Sequence, residues 1–287
     1  MQYFLLTFDI EDWFQVENFK ASIPFSSWSS RQSRVERNTH VILDFLDSAR
    51  SNSQRPVRAT FFVLGWVARR MPELVRQIRA RGHEVASHGY NHNLCTRIPV
   101  EELREDLKQS KKLLEDILGE PVLGYRAPSF SITEEALEIL EDCGYLYDSS
   151  YNSFAANDRY GKIETFPNGT GIALKTRRNI YELPVSNFRA GGYTVPLGGG
   201  AYFRLMPVRL FTKMAKSVVK NQNACLFYLH PWEIDPGQPR VNNAHAFSRF
   251  RHYTNISFTL SKLSFLVAGM KDLSFVSCGE YIRQVAG

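Results

Sequence analysis

Short apolar runs rich in β-branched and aromatic residues alternate with segments of helical periodicity along most of this chain. Such runs, when they are bounded by polar residues or turn formers, indicate buried β-strands. The predicted strands are Tyr3–Phe8, Ala59–Leu64, Glu84–Ser87, Leu123–Arg126, Leu146–Asp148, Tyr181–Leu183, Ala224–Leu229 and Leu273–Val276.

Helical periodicity separates these strands. Apolar residues recur at helical spacing over Val35–Ala49, Glu73–Ile78 and Val100–Leu118, which predicts three helices. A fourth helix is expected to begin near Ser131, because Ser131 and Glu134 have the spacing of a capping box.

The alternation of strands and helices predicts an α/β fold with a mainly parallel sheet, either a barrel or a doubly wound sheet. A barrel gathers functional residues at the carboxyl ends of several strands, whereas a doubly wound sheet usually binds ligands at one crevice. Five separate predicted strands end in or beside a polar side chain, which favours the barrel. These residues are Asp9, His88, Arg126, Asp148 and His230.

Composition and charge narrow the class of protein. The 287 residues are 44% hydrophobic and 22% charged, as in globular domains, and the length suits one large domain or two smaller ones. A net charge of +6 favours anionic partners, but the Lys and Arg residues are scattered, so we expect no nucleic-acid partner. The four cysteines lie far apart and form no C-x-x-C pair, which argues against a zinc ribbon or a redox motif.

The amino terminus lacks the basic start and long apolar core of a signal peptide. No apolar run approaches the roughly 20 residues that a membrane helix needs. We therefore expect no transmembrane segment and a cytoplasmic protein. The sequence leaves the oligomeric state open, a homo-oligomer included.

Two histidines follow the third predicted strand. His88 and His92 are four residues apart, and in a helix this spacing would bring both imidazoles to one metal ion. The same spacing is common among ordinary histidines, so a metal site needs a third ligand from elsewhere in the chain.

The first strand ends in an acidic cluster that can supply this ligand. Asp9, Glu11 and Asp12 lie within four residues of one another directly after an apolar run. Neighbouring carboxylates repel each other unless a cation compensates them, and a metal held by two histidines would do so. A helix amino terminus is the alternative explanation of such a cluster.

Three further strand ends carry candidate residues. Arg126, followed by Pro128 in a fixed turn, can form a bidentate pair with a carboxylate. Asp148 and His230 end two apolar strands, where Asp commonly serves as a cap and His commonly as a hydrogen-bonded structural residue. Each residue alone says little about function.

Taken in order, the carboxylate cluster, H-x-x-x-H, R-x-P, Asp and L-H resemble the polysaccharide deacetylase (NodB-homology) family, carbohydrate esterase family four. Residues 7–14, 198–204 and 230–235 resemble more narrowly a bacterial subgroup tied to exopolysaccharide biosynthesis. The resemblance implies a distorted (β/α) barrel over residues 1–235, as the catalytic domain, with a short C-terminal extension, residues 236–287, packed on it.

The same resemblance implies the chemistry of the site. A divalent ion, with Zn²⁺ as the default, would be held by His88, His92 and one carboxylate. Asp9 matches the general base, Arg126 the residue that pairs with this base, His230 the general acid, and Asp148 the carboxylate that tunes the acid.

This chain departs from the family pattern at two places. The family has two adjacent Asp residues at the first motif, whereas Asp9-Ile10-Glu11-Asp12 leaves either Glu11 or Asp12 as the metal ligand. Ser149 and Ser150 replace the usual tryptophan after the fourth-motif Asp, which puts the shape of the acetyl pocket in doubt.

Several residues are candidates for substrate binding. Aromatic faces stack on sugar rings, and Arg204 can contact an anionic group, although a surface salt bridge explains it equally well. The glycines that precede it, Gly198–Gly200, lack the Lys-Ser/Thr of a phosphate loop and suggest a turn or a close approach of the backbone. The candidates are Trp13, Tyr228, Trp232 and Arg204.

We expect a metal-dependent hydrolase that removes N-acetyl groups from N-acetylhexosamine units of an oligosaccharide, polysaccharide or precursor. One alternative keeps the fold and the metal but takes a small cyclic amide as substrate, as in allantoinase-like relatives. Another is an inactive relative that binds carbohydrate.

Overall fold

A curved, mainly parallel β-sheet lies at the centre of the computed structural model, which describes residues 1–50, 55–154, 160–163, 169–176 and 178–286. Its main strands correspond to the apolar runs of the sequence, and β2 is buried along its whole length. The strands are β1 Tyr3–Ile10, β2 Ala59–Val63, β3 Glu84–Ser87, β4 Gly124–Tyr125, β5 Tyr147–Asp148, β6 Gly169–Thr170, β7 Ala173–Lys175, β8 Tyr181–Glu182, β9 Asn187–Ala190, β10 Tyr193–Pro196, β11 Ala224–Leu229 and β12 Ser274–Phe275.

The sheet has the order β11-β1-β2-β3-β4-β5-β8-β7-β6, and β12 pairs with the start of β1. Neighbours from β11 to β8 are parallel, whereas β7 pairs antiparallel with β8 and β6. β9 and β10 form a separate antiparallel pair. The sheet curls into an incomplete barrel, so the predicted α/β barrel class is confirmed.

Ten α-helices surround this sheet in the described part of the chain, and most present one apolar face to it. α4, for example, buries Leu103, Leu107 and Leu114, one or two turns apart. The helices are α1 Val35–Ser48, α2 Gly65–Arg70, α3 Pro72–Ala80, α4 Val100–Leu118, α5 Glu134–Asp142, α6 Gly200–Leu205, α7 Val208–Gln222, α8 Ala246–Tyr253, α9 Thr259–Gly269 and α10 Cys278–Ala286. Short 3-10 helices cover Glu17–Phe19, Phe25–Ser30, Pro128–Phe130, Pro231–Ile234 and Ile256–Phe258. None of the described helices has the length and apolar character to cross a membrane.

The fourth predicted helix is α5, but Ser131 is not its cap. The cap of α5 is Thr133, whose hydroxyl accepts a hydrogen bond from Ala136 N at 3.1 Å, and Ser131 instead bonds within the preceding turn. The segment from His88 to His92 is a loop rather than a helix, because Gly89 (φ 73°) and His92 (φ 57°) adopt left-handed conformations.

The C-terminal part of the chain joins the same sheet. β12 pairs with β1 through Ser274 opposite Tyr3, and Cys278 N donates a hydrogen bond to Thr60 Oγ1 on β2 (2.8 Å). The division of the chain at residue 235 stays a prediction.

Candidate active site

The carboxyl ends of the parallel strands meet around one open cavity. Because Phe8 of β1 is paired with Leu229 of β11, the residues that follow, Asp9 and His230, lie side by side. The inner wall of the cavity is formed by polar and aromatic side chains, among them Asp9, Glu11, His88, His92, Tyr228, His230, Trp232 and Glu233.

Glu11, His88 and His92 form a cluster with the composition of a metal site. One potential ligand atom from each residue lies within 4.8 Å of the other two, and all three side chains are buried. Glu11 Oε2 has no hydrogen-bond partner in the described part of the chain, although His92 Nε2 is only 2.6 Å away. A buried carboxylate oxygen that faces two imidazoles without a regular hydrogen bond fits a divalent cation such as Zn²⁺.

The loop between the two histidines is held by Asp106 of α4. The Asp106 carboxylate accepts hydrogen bonds from Tyr90 N (2.6 Å) and Asn91 N (3.3 Å). This anchor, together with the left-handed backbone at Gly89 and His92, directs both imidazoles to the cavity without a helix.

The environment of His88 keeps its imidazole neutral. Its Nδ1 donates a hydrogen bond to the carbonyl oxygen of Arg126 at 2.8 Å, so the proton is on Nδ1 and Nε2 keeps a lone pair. Burial lowers the pKa of His88 to about 4. For Glu11, burial raises the pKa, but the charges of His92 and His230 outweigh it and leave the pKa well below its usual range. A neutral imidazole and an ionised carboxylate are the forms that bind metal ions.

The carboxylate of Asp12 is directed away from this cluster, so Asp12 does not fit the alternative metal-ligand assignment. Its Oδ2 accepts hydrogen bonds from Ser33 Oγ (2.7 Å), Arg34 N (2.8 Å) and Val35 N (3.1 Å) at the start of α1. The chain turns after β1, which gives Glu11 and Asp12 opposite directions.

Arg126 and Asp9 form a buried ion pair, in which Arg126 Nη1 lies 2.7 Å from Asp9 Oδ1. The same nitrogen donates to Thr7 Oγ1, and Arg126 Nε and Nη2 donate to the carbonyl and hydroxyl oxygens of Ser149. Ser149, where the family has tryptophan, therefore helps to fix the arginine that holds Asp9.

His230 contacts a carboxylate that the sequence interpretation did not assign. Its Nδ1 donates a hydrogen bond to Glu233 Oε1 at 2.8 Å, while its Nε2 lies 3.5 Å from Glu11 Oε1 and 3.9 Å from Asp9 Oδ2. Burial lowers the pKa of His230, but the charges of Glu11 and Glu233 and the hydrogen bond to Glu233 raise it to about 9. The sequence pattern that could have revealed Glu233 is His230-Pro231-Trp232-Glu233, because a short helical turn places its first and fourth residues on one side.

Arg204 is buried and supports Glu233, so its predicted contact with an anionic substrate does not fit the structure. Its Nε donates to Glu233 Oε2 at 2.8 Å, and its terminal nitrogens donate to the carbonyl oxygens of Arg251, His252 and Thr254. Burial raises the pKa of Glu233, but Arg204 and His230 lower it more and leave it below the usual range.

Asp148 is not placed to tune His230 as the resemblance implied. Its carboxylate accepts hydrogen bonds from the Ser150 hydroxyl (2.6 Å) and Ser150 N (3.1 Å), and it also contacts Glu182. Burial and the charge of Asp148 raise the pKa of Glu182 well above its usual range, so this pair carries a proton. Asp148 is fully buried and does not line the cavity.

The glycine run is explained by contacts within the protein. A Cβ on Gly200 would lie 2.2 Å from the oxygens of Glu233, and one on Gly199 would lie 2.6 Å from the hydroxyl of Tyr228. These glycines let the backbone approach two side chains of the cavity wall.

Two of the three predicted aromatic contacts line the cavity. Trp232 donates from Nε1 to Glu11 Oε1 (3.1 Å) and stacks between the rings of His230 and His252. Tyr228 also lines the cavity. Trp13 does not, because its indole is buried against Phe14 and donates to the carbonyl oxygen of Gln32.

Comparisons with known families agree with the motifs. Residues 5–147 match the polysaccharide deacetylase family model, and residues 149–283 match a domain of unknown function, DUF3473. Peptidoglycan-N-acetylglucosamine deacetylase of Bacillus cereus is 34% identical over 107 residues, which are 37% of this chain and 47% of that protein. Residues 5–147 of this chain are thus similar to the polysaccharide deacetylases.

Solved structures share the fold. A structure from Mycobacterium smegmatis assigned to the polysaccharide deacetylases has a TM-score of 0.60 at 20% identity, covering 99% of this chain and 90% of that one. A Bacillus anthracis protein described as a CE4 family pseudoenzyme has a TM-score of 0.51 at 14% identity, covering 97% of this chain and 64% of that one. The chain spans less than half the length of the curated relatives it matches.

Proposed function

We propose that this protein is a metal-dependent deacetylase that hydrolyses the N-acetyl group of N-acetylhexosamine units in a bacterial exopolysaccharide or its precursor. The observation that carries the proposal is the convergence of Asp9 and His230 on the Glu11, His88 and His92 cluster in one open cavity. Relatives named as deacetylases of peptidoglycan amino sugars support the N-acetylated substrate.

The residues divide the work of amide hydrolysis. A bound divalent ion at Glu11, His88 and His92 would polarise the acetyl carbonyl and make water more acidic. Asp9 would accept the proton of the attacking water through Oδ2, because Arg126 holds its Oδ1. As the new C–O bond forms and the C–N bond breaks, His230 Nε2 would protonate the departing nitrogen, which gives acetate and a free amine.

The supporting residues set the direction of these proton transfers. Glu233 holds a proton on His230 Nδ1 and thereby turns Nε2 toward the cavity. Trp232 closes one side of the cavity and supports Glu11, and Tyr228 lines another part of the wall. We propose Trp232 and Tyr228 as the aromatic contacts to the sugar and acetyl group.

Acetate release from N-acetylglucosamine oligomers tests this proposal. We expect release by the zinc-loaded protein, its loss with chelator and recovery on adding Zn²⁺. The Asp9→Asn variant should lose about 100-fold or more in kcat, because a positioned general base contributes at least this much. Asp44→Asn, on the exposed side of α1, is the matched control and should keep its activity.

Metal binding provides a second readout, in which His88→Ala should lower zinc affinity measured by calorimetry. Zinc-loaded protein that releases no acetate from a panel of N-acetylated sugars would contradict the proposal. Hydrolysis of allantoin or another cyclic amide would instead favour the amidohydrolase alternative, and oligosaccharide binding without turnover would favour the carbohydrate-binding alternative.

A further inference from the structure

The positive charge of the protein is concentrated in one stretch of the chain. Between Glu182 and Asp272 every residue is described, and the only two acidic residues, Glu233 and Asp235, are buried and paired with arginines. The exposed Lys and Arg side chains of this stretch have no exposed acid in it to offset them. They are Arg189, Arg209, Lys213, Lys216, Lys220, Arg240, Arg249 and Lys271.

Seven large apolar side chains of the same stretch are exposed to solvent, and four of them lie in the segments around Arg204. The exposed fractions are 42% for Leu205, 60% for Phe247, 55% for Phe250 and 60% for Phe258. Single exposed apolar residues are ordinary, whereas a group of them on one surface is typical of a binding site. We refer to these four residues as the apolar patch.

Hydrogen bonds to Arg204 bring three members of the patch together. Leu205 follows Arg204 directly, and Arg204 Nη2 donates to the carbonyl oxygen of Arg251, the residue after Phe250. Asn255 Nδ2 donates to the carbonyl oxygen of Arg204, and Phe258 N donates to the carbonyl oxygen of Asn255. Phe247 lies one helical turn before Phe250 on α8.

The patch lies beside the opening of the catalytic cavity. Gly200 and Ala201, at the start of α6, line the cavity, and Leu205 ends the same short helix. Arg251, next to Phe250 on α8, lines the cavity too. The apolar patch and Arg251 therefore lie beside the opening through which substrate reaches the site.

We propose that this face docks on an anionic lipid bilayer. The Phe and Leu side chains would enter the boundary between headgroups and acyl chains, while Arg209, Lys213, Arg240 and Arg249 contact the anionic headgroups. Aromatic faces can stack on sugar rings, but aliphatic Leu205 cannot, and the cations of this stretch complement anionic headgroups, so a bilayer fits the face better than a polysaccharide strand. A second copy of this chain would bring like charges together.

Docking of this kind would hold the cavity opening at the membrane surface. It would favour acetylated glycans attached to lipid over glycans free in solution. The inference goes beyond the proposed function and is measured without any substrate, so either one can fail while the other stands.

Sedimentation of the full chain with lipid vesicles tests the docking. We expect the partition coefficient to be at least about fivefold higher for 3:1 phosphatidylcholine/phosphatidylglycerol vesicles than for phosphatidylcholine alone, and to fall as salt is raised. Phe250→Ser/Phe258→Ser and, separately, Arg209→Glu/Arg249→Glu should each lower it by about fivefold or more.

Matched variants on other helices control for general effects of charge and hydrophobicity. Arg76→Glu/Lys108→Glu repeats the charge change on α3 and α4, and Val41→Ser/Val100→Ser removes exposed apolar side chains from α1 and α4. Both should leave the partition coefficient unchanged. Circular dichroism and the thermal midpoint check that every variant is folded.

Three results would overturn the proposal. The first is binding to anionic vesicles that the patch variants do not reduce, or that the control variants reduce equally. The second is self-association in sedimentation velocity that the patch variants abolish, with no binding to vesicles, which would assign the face to a second copy. The third is patch-dependent binding of soluble alginate without binding to vesicles, which would assign it to an anionic glycan.

Discussion

At the scale of single residues, two carboxylates are candidates for the group that accepts the hydrogen bond from His230 Nδ1. The family resemblance assigns its partner carboxylate to Asp148, whereas the structure places Glu233 Oε1 at 2.8 Å and gives Asp148 to Ser150 and Glu182. Arg204 keeps Glu233 ionised and in place, and Gly200 leaves room for its carboxylate. A partner of this kind fixes the tautomer and orientation of a catalytic imidazole.

We therefore expect Glu233→Gln to lower kcat for deacetylation by about tenfold or more, with a smaller effect on KM, because the neutral amide supports the imidazolium less. Hydrolysis of an aryl acetate, whose leaving group needs no proton, should fall much less. Steady-state kinetics on both substrates measures the difference. If Asp148→Asn lowered kcat more than Glu233→Gln in equally folded proteins, the assignment would return to Asp148.

The sequence could predict where a residue lies when its position along a strand determines the direction of its side chain. Asp9 lies at the end of β1, and His88 and His230 directly follow β3 and β11, so their convergence could be predicted. Glu11 and Asp12 could not be separated, because the turn after β1 decides which carboxylate faces the histidines. Glu233 was missed because its role depends on a single 3-10 turn and on Arg204, which lies 29 residues earlier.

At the scale of elements, Asp12 joins the end of β1 to the start of α1. Its buried carboxylate accepts two backbone N–H groups, Arg34 N and Val35 N, which have no partner within the helix, and the Ser33 hydroxyl. Side chains that cap a helix in this way stabilise the fold rather than the chemistry.

Asp12→Ala should lower the free energy of unfolding by about 1–3 kcal/mol, because it leaves buried donors unsatisfied. Urea denaturation of the metal-free protein measures this loss. Glu11→Gln is the matched variant, with the opposite profile: it should weaken zinc binding in calorimetry far more than Asp12→Ala does. A larger loss of zinc affinity in Asp12→Ala would assign the metal carboxylate to Asp12.

Elements were predictable to the degree that they bury a regular apolar pattern. β2, β3 and β11, whose residues are mostly buried, were found almost to the residue. β6, β7, β9 and β10 were missed, because they are short and, in β9 and β10, largely exposed or half-buried. The loop that carries His92 could not be distinguished from a helix, since spacing alone cannot reveal the left-handed backbone at that residue.

At the scale of the whole molecule, two family matches meet in one cavity. Asp9, Glu11, His88 and His92 belong to the part that matches the polysaccharide deacetylases, whereas His230 and Glu233 belong to the part that matches DUF3473. Pairing of β1 with β11 and β12 joins the two parts in one sheet. The candidate site therefore depends on the folded whole, and global stability bears directly on function.

Global stability should depend on pH through a histidine remote from the cavity wall. His83 is buried just before β3, packs on Phe61, and has no hydrogen-bond partner on either ring nitrogen in the described part of the chain. Burial lowers its pKa to about 4, with Arg58 and Arg81 acting in the same direction and Asp47 against it. The folded protein thus keeps His83 neutral in mildly acidic solution.

In the unfolded chain His83 binds a proton near pH 6.5, whereas in the folded protein it does so only near pH 4. The unfolded state therefore binds more protons between these values, and His83 lowers the free energy of unfolding by about 2 kcal/mol from pH 7 to pH 5. His83→Leu should lose correspondingly less stability over this range in urea denaturation, while the contributions of the other histidines cancel between the two proteins. An equal loss in both proteins would show that His83 is protonated in the folded state, or solvated, at pH 5.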